Sequence, residues 1–162
     1  MPGFIHPPQD DQEWEQAIHL LKRVYVGDGY TTHEHAEAFM RRELLEAGGE
    51  LLVARVASNT VIGTVLYLFP NGPLAQVARE GEAEIRLLAV APEAREQAMG
   101  TCLVAECIRR AEAEGAHAVV LWSQPTMLAA HRLYLRRGFV RTPERDEDDP
   151  RGFRRWVFRK PL

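Results

Sequence analysis

The sequence predicts an α+β (mixed α/β) domain, and three observations carry that prediction. The local patterns run in the order short extended segment, two helices, three strands, helix, strand, helix, two strands. Within that order only the unit at 84–122 has the strand–helix–strand spacing of a parallel crossover, and the other strands follow one another in a way that favours antiparallel pairing. The chain has 162 residues, 46% hydrophobic and 27% charged, enough for one core and too few for two ordinary domains. Residues 1–162 are therefore expected to form a single domain.

Each element has a local reason. Residues 2–11 begin extended, because Pro7 and Pro8 oppose a helix, and Asp10 or Asp11 then caps a helix running to about Val26. Trp14, Ile18, Leu21 and Tyr25 step along it by three and four, so one face is buried. Gly27-Asp28-Gly29 ends it. A second helix is expected over about 33–47, with Phe39, Leu44 and Leu45 inward and Gly48-Gly49 as its stop. Glu50–Val56 and Val61–Phe69 flank a short polar connection and read as an antiparallel hairpin. After a loop at 71–82, Glu84–Val90 is a strand closed by Pro92. A helix from about 98 to 114 turns Leu103, Val104, Cys107, Ile108 and Ala111 inward, and Gly115 stops it. Ala118–Trp122 is a β-branched run suited to a buried parallel strand. Met127–Arg137 is helical up to Gly138. Phe139–Arg141 and Arg154–Arg159 are the last strands, joined by the acidic run Glu144–Asp149, which reads as a solvated connection or as a lure for a cationic substrate.

Charge and cysteine usage narrow the function classes. With 20 basic against 23 acidic residues the net charge is -3, which offers no footprint for a phosphate backbone and argues against nucleic acid as the main partner. Cys102 and Cys107 sit about 140° apart around their helix, which suits neither a metal pair nor a local disulfide, so a reducing, cytoplasmic setting is expected. The N-terminal run MPGFIHPPQDDQEW has neither the basic nor the apolar part of a secretion signal. No stretch approaches 18 continuous apolar residues, so no membrane partner is expected. His33 and His35 are too close in sequence to share a helix face, and no metal site is assigned.

The segment from Glu84 to Thr101 carries the chemistry. A strand ends, a small-residue loop follows and a helix begins, which exposes unpaired N–H groups at the positive end of a helix dipole and suits a diphosphate. Arg95 adds charge there and Thr101 a hydroxyl donor. A phosphate-binding loop of the Gly-Lys-Ser/Thr kind is absent, and Gly100 alone does not make a three-glycine dinucleotide fingerprint.

Leu88-Ala89-Val90-Ala91-Pro92-Glu93-Ala94-Arg95, followed by Gln97-Ala98-Met99-Gly100, resembles the acetyl-CoA motif of the GNAT superfamily of N-acetyltransferases. Arg95 and Gly100 match that pattern and Ala98 replaces its middle glycine. Leu133-Tyr134-Leu135-Arg136-Arg137-Gly138-Phe139, about 34 residues further on, resembles the closing helix of the same family. The resemblance covers nearly the whole chain. It implies a central, mostly antiparallel sheet of six to seven strands with a splayed parallel pair, flanked by about four helices.

The resemblance further implies a function. An N-acetyltransferase would move acetyl from acetyl-CoA to a primary amine by direct attack. Main-chain groups of Leu88, Ala89 and Val90 would pair with the pantetheine arm. Arg95, Glu96, Gln97, Ala98, Met99, Gly100 and Thr101 would form the diphosphate cradle. Tyr134 would protonate the departing thiolate, since a phenol keeps its proton near neutral pH. Tyr30 and Asp28, between the first two helices, fall where the acceptor amine would bind. Glu84 is either a general base acting through water or a strand carboxylate paired with Arg86. Departures from the pattern are Ala98 in place of a glycine, Glu96 beside the diphosphate, Met127 in place of an asparagine and Trp122 in place of a catalytic glutamate. They keep open a second reading, a non-catalytic acyl-CoA-binding or regulatory module. His131 is read as a structural histidine. Edge strands near 139–159 offer a homodimer contact.

Overall fold

The computed structural model describes residues 4–162, with the side chains of Phe4, Glu96 and Gln97 outside the description. In chain order the elements are β1 (Phe4–His6), α1 (Asp11–Gly27), α2 (His33–Phe39), α3 (Arg42–Gly48), β2 (Gly49–Arg55), β3 (Val61–Leu68), β4 (Glu82–Val90), a 3₁₀ turn (Pro92–Gln97), α4 (Met99–Ala113), β5 (Ala118–Ser123), α5 (Leu128–Arg136), β6 (Val140–Arg141), β7 (Glu147–Asp148) and β8 (Arg154–Pro161). The strands join one mixed sheet ordered β1-β2-β3-β4-β5-β8-β6, with β7 added alongside β8. Only β4 and β5 run parallel, joined by α4 as crossover. This is the expected α+β architecture, with eight strands and five α-helices among the described residues.

The sheet is covered on both faces. All eight residues of β3 are buried, which a strand wet on one face cannot achieve. A Cβ on Gly63 would lie 2.8 Å from Leu103 Cδ1, so that face of β3 meets α4. The alternate residues, Thr64 and Leu66 among them, are turned the other way and are fully buried, and α1 is the helix that packs most on this strand. Leu21 of α1 and Leu103, Val104 and Cys107 of α4 form the centre of the core.

Local capping explains where the helices start. Asp10 accepts the Glu13 amide at 2.8 Å and opens α1, and Thr32 Oγ1 accepts the His35 amide at 3.1 Å and opens α2. The helix expected over 33–47 is instead two, because the chain leaves helical geometry at Met40 and Arg41. The break buries Ala36, Met40 and Leu45 together, while Phe39, expected inward, is 57% exposed. Two further expectations change. The acidic run Glu144–Asp149 is not a solvated connection: it contains β7, Asp146 pairs with Arg141, and Asp149 is 5% exposed between Arg151 and Arg155. Of the edge strands expected near 139–159, β6 does end the sheet, but β8 is interior, between β5 on one side and β6 and β7 on the other.

Candidate active site

A cleft opens where β4 and β5 part. The two strands pair only at Glu82–Glu84 with Ala118–Val120, although they run on to Val90 and Ser123. On its other edge β4 slips register against β3. Thr64 faces Ala89 and Leu66 faces Arg86, so Leu87 and Leu88 together oppose Val65. Leu87 adopts φ 57°, a left-handed conformation that bulky side chains avoid and that marks a β-bulge here. Buried Thr64 donates its hydroxyl to Leu87 O at 3.3 Å and holds the bend. The bulge bends the strand, and the second half of β4 has no strand partner on the β5 side.

The cleft measures about 850 Å³. Two clusters of polar groups stand at it, each linked within itself. The first gathers at the start of α4. Ala98 caps the helix from a left-handed φ of 57° with no side-chain hydrogen bond, and the first intrahelical bond runs from the Cys102 amide to Ala98 O. The amides of Met99, Gly100 and Thr101 therefore lie ahead of it, an anion-binding arrangement. Gly100 has a packing reason as well, since a Cβ there would lie 2.8 Å from Leu133 Cδ1 of α5. Arg95 donates from Nε to Val90 O at 3.3 Å and from Nη2 to Asp28 Oδ2 at 2.9 Å.

The second cluster surrounds the loop at 73–78. Glu84 accepts the amides of Gln76, Val77 and Ala78 at 2.9–3.0 Å. Trp122 Nε1 donates to Gln76 Oε1 at 2.6 Å, and Arg86 Nη1 donates to Leu74 O at 3.3 Å. The loop is thereby fixed as a wall of the cleft, to which Leu74, Gln76, Arg86, Trp122 and His35 all contribute. Burial lowers the pKa of His35, assisted by the charge of Arg151.

Tyr134 and Tyr25 also line the cleft. Tyr134 is 6% exposed and packs against Phe139 and Phe158, each ring centroid 5.7 Å away. Burial raises its pKa well above that of a free phenol. Tyr25 donates its hydroxyl to Leu88 O at 3.2 Å, and burial pushes its pKa up to about 12 against the opposing charge of Arg86. Both phenols stay protonated through the physiological range.

The model of the acetyltransferase (GNAT) family matches residues 14–139. The chain belongs to the GNAT acetyltransferase family. An uncharacterized N-acetyltransferase of Schizosaccharomyces pombe is 37% identical over 138 residues, covering 83% of this chain and 79% of the relative. Mycothiol acetyltransferase of an Arthrobacter species is 27% identical over 139 residues, covering 86% of this chain, which spans 42% of that protein's length. Among solved structures, a GNAT acetyltransferase of Staphylococcus aureus superposes with a TM-score of 0.76 at 14% identity over 98% of both chains. The PaiA N-acetyltransferase of Thermoplasma acidophilum, solved with coenzyme A, gives 0.71 at 17% identity over 98% of this chain and 99% of its own. At these identities the likeness establishes the GNAT fold.

Within this GNAT chain, most residues singled out in the sequence meet in the one cleft. Leu88, Ala89 and Val90 line it together with Arg95, Ala98, Gly100 and Thr101, and so do Tyr134, Tyr30 and Asp28. Met99 is 1% exposed in the core and offers only its amide. The side chains of Glu96 and Gln97 lie outside the described residues. Glu84 needs correction. Its carboxylate is 2% exposed, does not line the cleft and accepts loop amides, so it is neither a base at the cleft nor an ion-pair partner of Arg86. His131 is structural, with Nε2 2.9 Å from Gln124 O and its ring stacked on Trp156.

Sequence reasoning missed Tyr25 and Arg86 as cleft residues, and it marked Trp122 only as a departure at a catalytic position. Tyr25 lies in the last turn of α1, on a stripe that otherwise faces the core. Arg86 alternates with apolar neighbours on β4, and an arginine inside an apolar strand was the available signal. Nothing local distinguished Gln76, whose place depends on Glu84 and Trp122.

Proposed function

We propose that this GNAT acetyltransferase transfers acetyl from acetyl-CoA to a primary amine by direct attack in the cleft between β4 and β5. The observation that supports this most is a single cleft that joins the uncapped start of α4, the unpaired half of β4 and the buried phenol of Tyr134. Acetyl-CoA supplies an activated thioester. Main-chain groups of Leu88, Ala89 and Val90 hold its pantetheine arm as an added strand would. The amides of Met99, Gly100 and Thr101 hold the diphosphate, with Arg95 beside them.

The acceptor amine loses a proton to solvent and attacks as the free base. As the C–N bond forms, main-chain N–H near Val90 stabilises the oxyanion. As the C–S bond breaks, Tyr134 gives its proton to the thiolate, and the proton shed by the new amide nitrogen restores the phenol through solvent. Burial suits Tyr134 to this role, because a phenol that resists ionisation is always loaded with its proton.

Calorimetric titration with acetyl-CoA, with NAD and ATP as controls, tests the donor. Thiol release from acetyl-CoA across an amine panel then tests transfer. Micromolar acetyl-CoA binding with amine-dependent thiol release is expected. Binding without release from any amine would favour the non-catalytic reading, and failure to bind acetyl-CoA overturns the donor site.

A further inference from the structure

The acceptor side of the cleft carries a guanidinium that the fold leaves short of partners. Arg86 is half-buried, and Leu74 O is the one hydrogen-bond acceptor it meets among the described residues, at 3.3 Å. No carboxylate is in hydrogen-bond or ion-pair contact with it among the described residues; Glu84 acts on it only through space, and the nearby carboxylates accept from other donors. Glu84 accepts the amides of Gln76, Val77 and Ala78. Asp149 accepts from Arg151 at 2.9 Å and Arg155 at 3.0 Å, and Glu147 accepts from Arg155 at 2.8 Å. Arg86 and Arg155 lie 5.7 and 5.1 Å from the ring of Trp122, so two cations share one indole beside the cleft.

A guanidinium has five N–H donors in a planar fork. One is used here, and half-burial denies the others part of their water. The wall around it mixes the apolar surfaces of Phe39, Leu74 and Trp122 with the polar groups of Gln76 and His35. What such a site lacks is a planar anion able to take two donors at once.

We propose that Arg86 recognises a carboxylate carried by the acceptor, so that the amine acetylated by this enzyme belongs to an amino acid. The inference rests on the acetyl-transfer reading above. It makes Arg86 the residue that selects the acceptor by charge, while Tyr134 and the free half of β4 serve whichever amine is bound.

Amino acids and their carboxamides provide the test, with thiol release from acetyl-CoA as readout and rates referred to free-amine concentration. A charge-assisted bidentate contact favours the acids by about 10- to 100-fold in kcat/KM. In Arg86→Gln that ratio should fall toward one, because KM for the acids rises by a similar factor. Arg86→Lys, with charge but no fork, should be intermediate. Arg86 also tethers the loop through Leu74 O, and a purely structural role would slow acids and amides alike; a preserved ratio in the variants therefore overturns the proposal. The wild-type ratio decides independently of how the variants fold. Equal rates on acids and amides sink the carboxylate site while leaving acetyl transfer intact. No thiol release with any amine removes both.

Discussion

The guanidinium of Arg95 meets the carboxylate of Asp28 at 2.9 Å, bridging the turn before α4 to the end of α1. The pair is partly exposed, at 43% and 34% of the two side chains, so solvent screens it and its own stabilisation is small. On the proposed donor site its consequence is competition, because the same guanidinium would stand beside the diphosphate. Asp28→Asn is expected to tighten acetyl-CoA binding by about threefold at a stability cost below about 1 kcal/mol. Arg95→Gln is expected to weaken binding by about tenfold. Calorimetry at low and high salt checks both, and high salt should shrink the differences.

Tyr134→Phe keeps the packing against Phe139 and Phe158 and removes only the proton donor. We expect kcat to fall by about 10²- to 10⁴-fold with unchanged acetyl-CoA affinity. Single-turnover rates and calorimetry on the same preparation separate the two. An unaltered chemical step would refute the acid role.

Glu84→Gln distinguishes a loop anchor from a general base. As the anchor of Gln76, Val77 and Ala78, its loss is expected to lower stability by about 1–3 kcal/mol and raise KM for the acceptor. The shape of the pH–kcat profile should be unchanged. Loss of its acidic limb would restore the base assignment.

Ala98 holds a left-handed φ of 57° where a glycine would be unstrained. Ala98→Gly is expected to stabilise the fold by about 0.5–1 kcal/mol, about 2–3 °C in Tm, and to preserve acetyl-CoA binding. Thermal melts with and without acetyl-CoA measure both effects.

Stability should form a plateau bounded on both sides. Burial raises Cys107 to about 12 from 9.0 and Tyr25 to about 12 from 10.0, and pushes Tyr134 in the same direction. These groups hold protons more tightly when folded, so their contribution is complete below the ordinary values and is lost as pH rises through the folded ones. Tm should decline above about pH 9. For Glu82, burial pushes upward, but hydrogen bonds from Arg145 and Arg159 prevail and bring it to about 2. Its contribution is complete above 4.5 and is lost as pH falls toward 2. Melting curves across pH check both limbs, and Glu82→Gln should flatten the acid one.

The elements themselves were legible because their causes are local. Asp10 caps α1, the three-and-four stepping of Trp14 to Tyr25 predicts its buried face, and the apolar run Ala118–Trp122 marks an interior strand. The strand–turn–helix segment ending at Thr101 was legible for the same reason, whereas the roles expected of Leu88 to Thr101 and of Tyr134 came from the resemblance to the GNAT family. Helix 33–47 misled, because nothing local reveals that burying Ala36 and Leu45 together requires a break at Met40.

From sequence alone come the α+β class, the element order, the strand–turn–helix start of α4 and, through the family resemblance, Tyr134 as the candidate acid. Tertiary structure decided the rest. Whether β4 bulges at Leu87 depends on its register against β3, and where the cleft begins depends on how far β5 stays paired with it. The role of Glu84 was set by a loop that folds back eight residues earlier, and its carboxylate bound those amides instead of facing the cleft. Arg86, a candidate partner of Glu84 by strand alternation, instead donates to Leu74 O, because the Glu84 carboxylate accepts the amides of Gln76, Val77 and Ala78. Hydrogen bonds and charges are satisfied by neighbours in space, and periodicity along a chain does not name those neighbours.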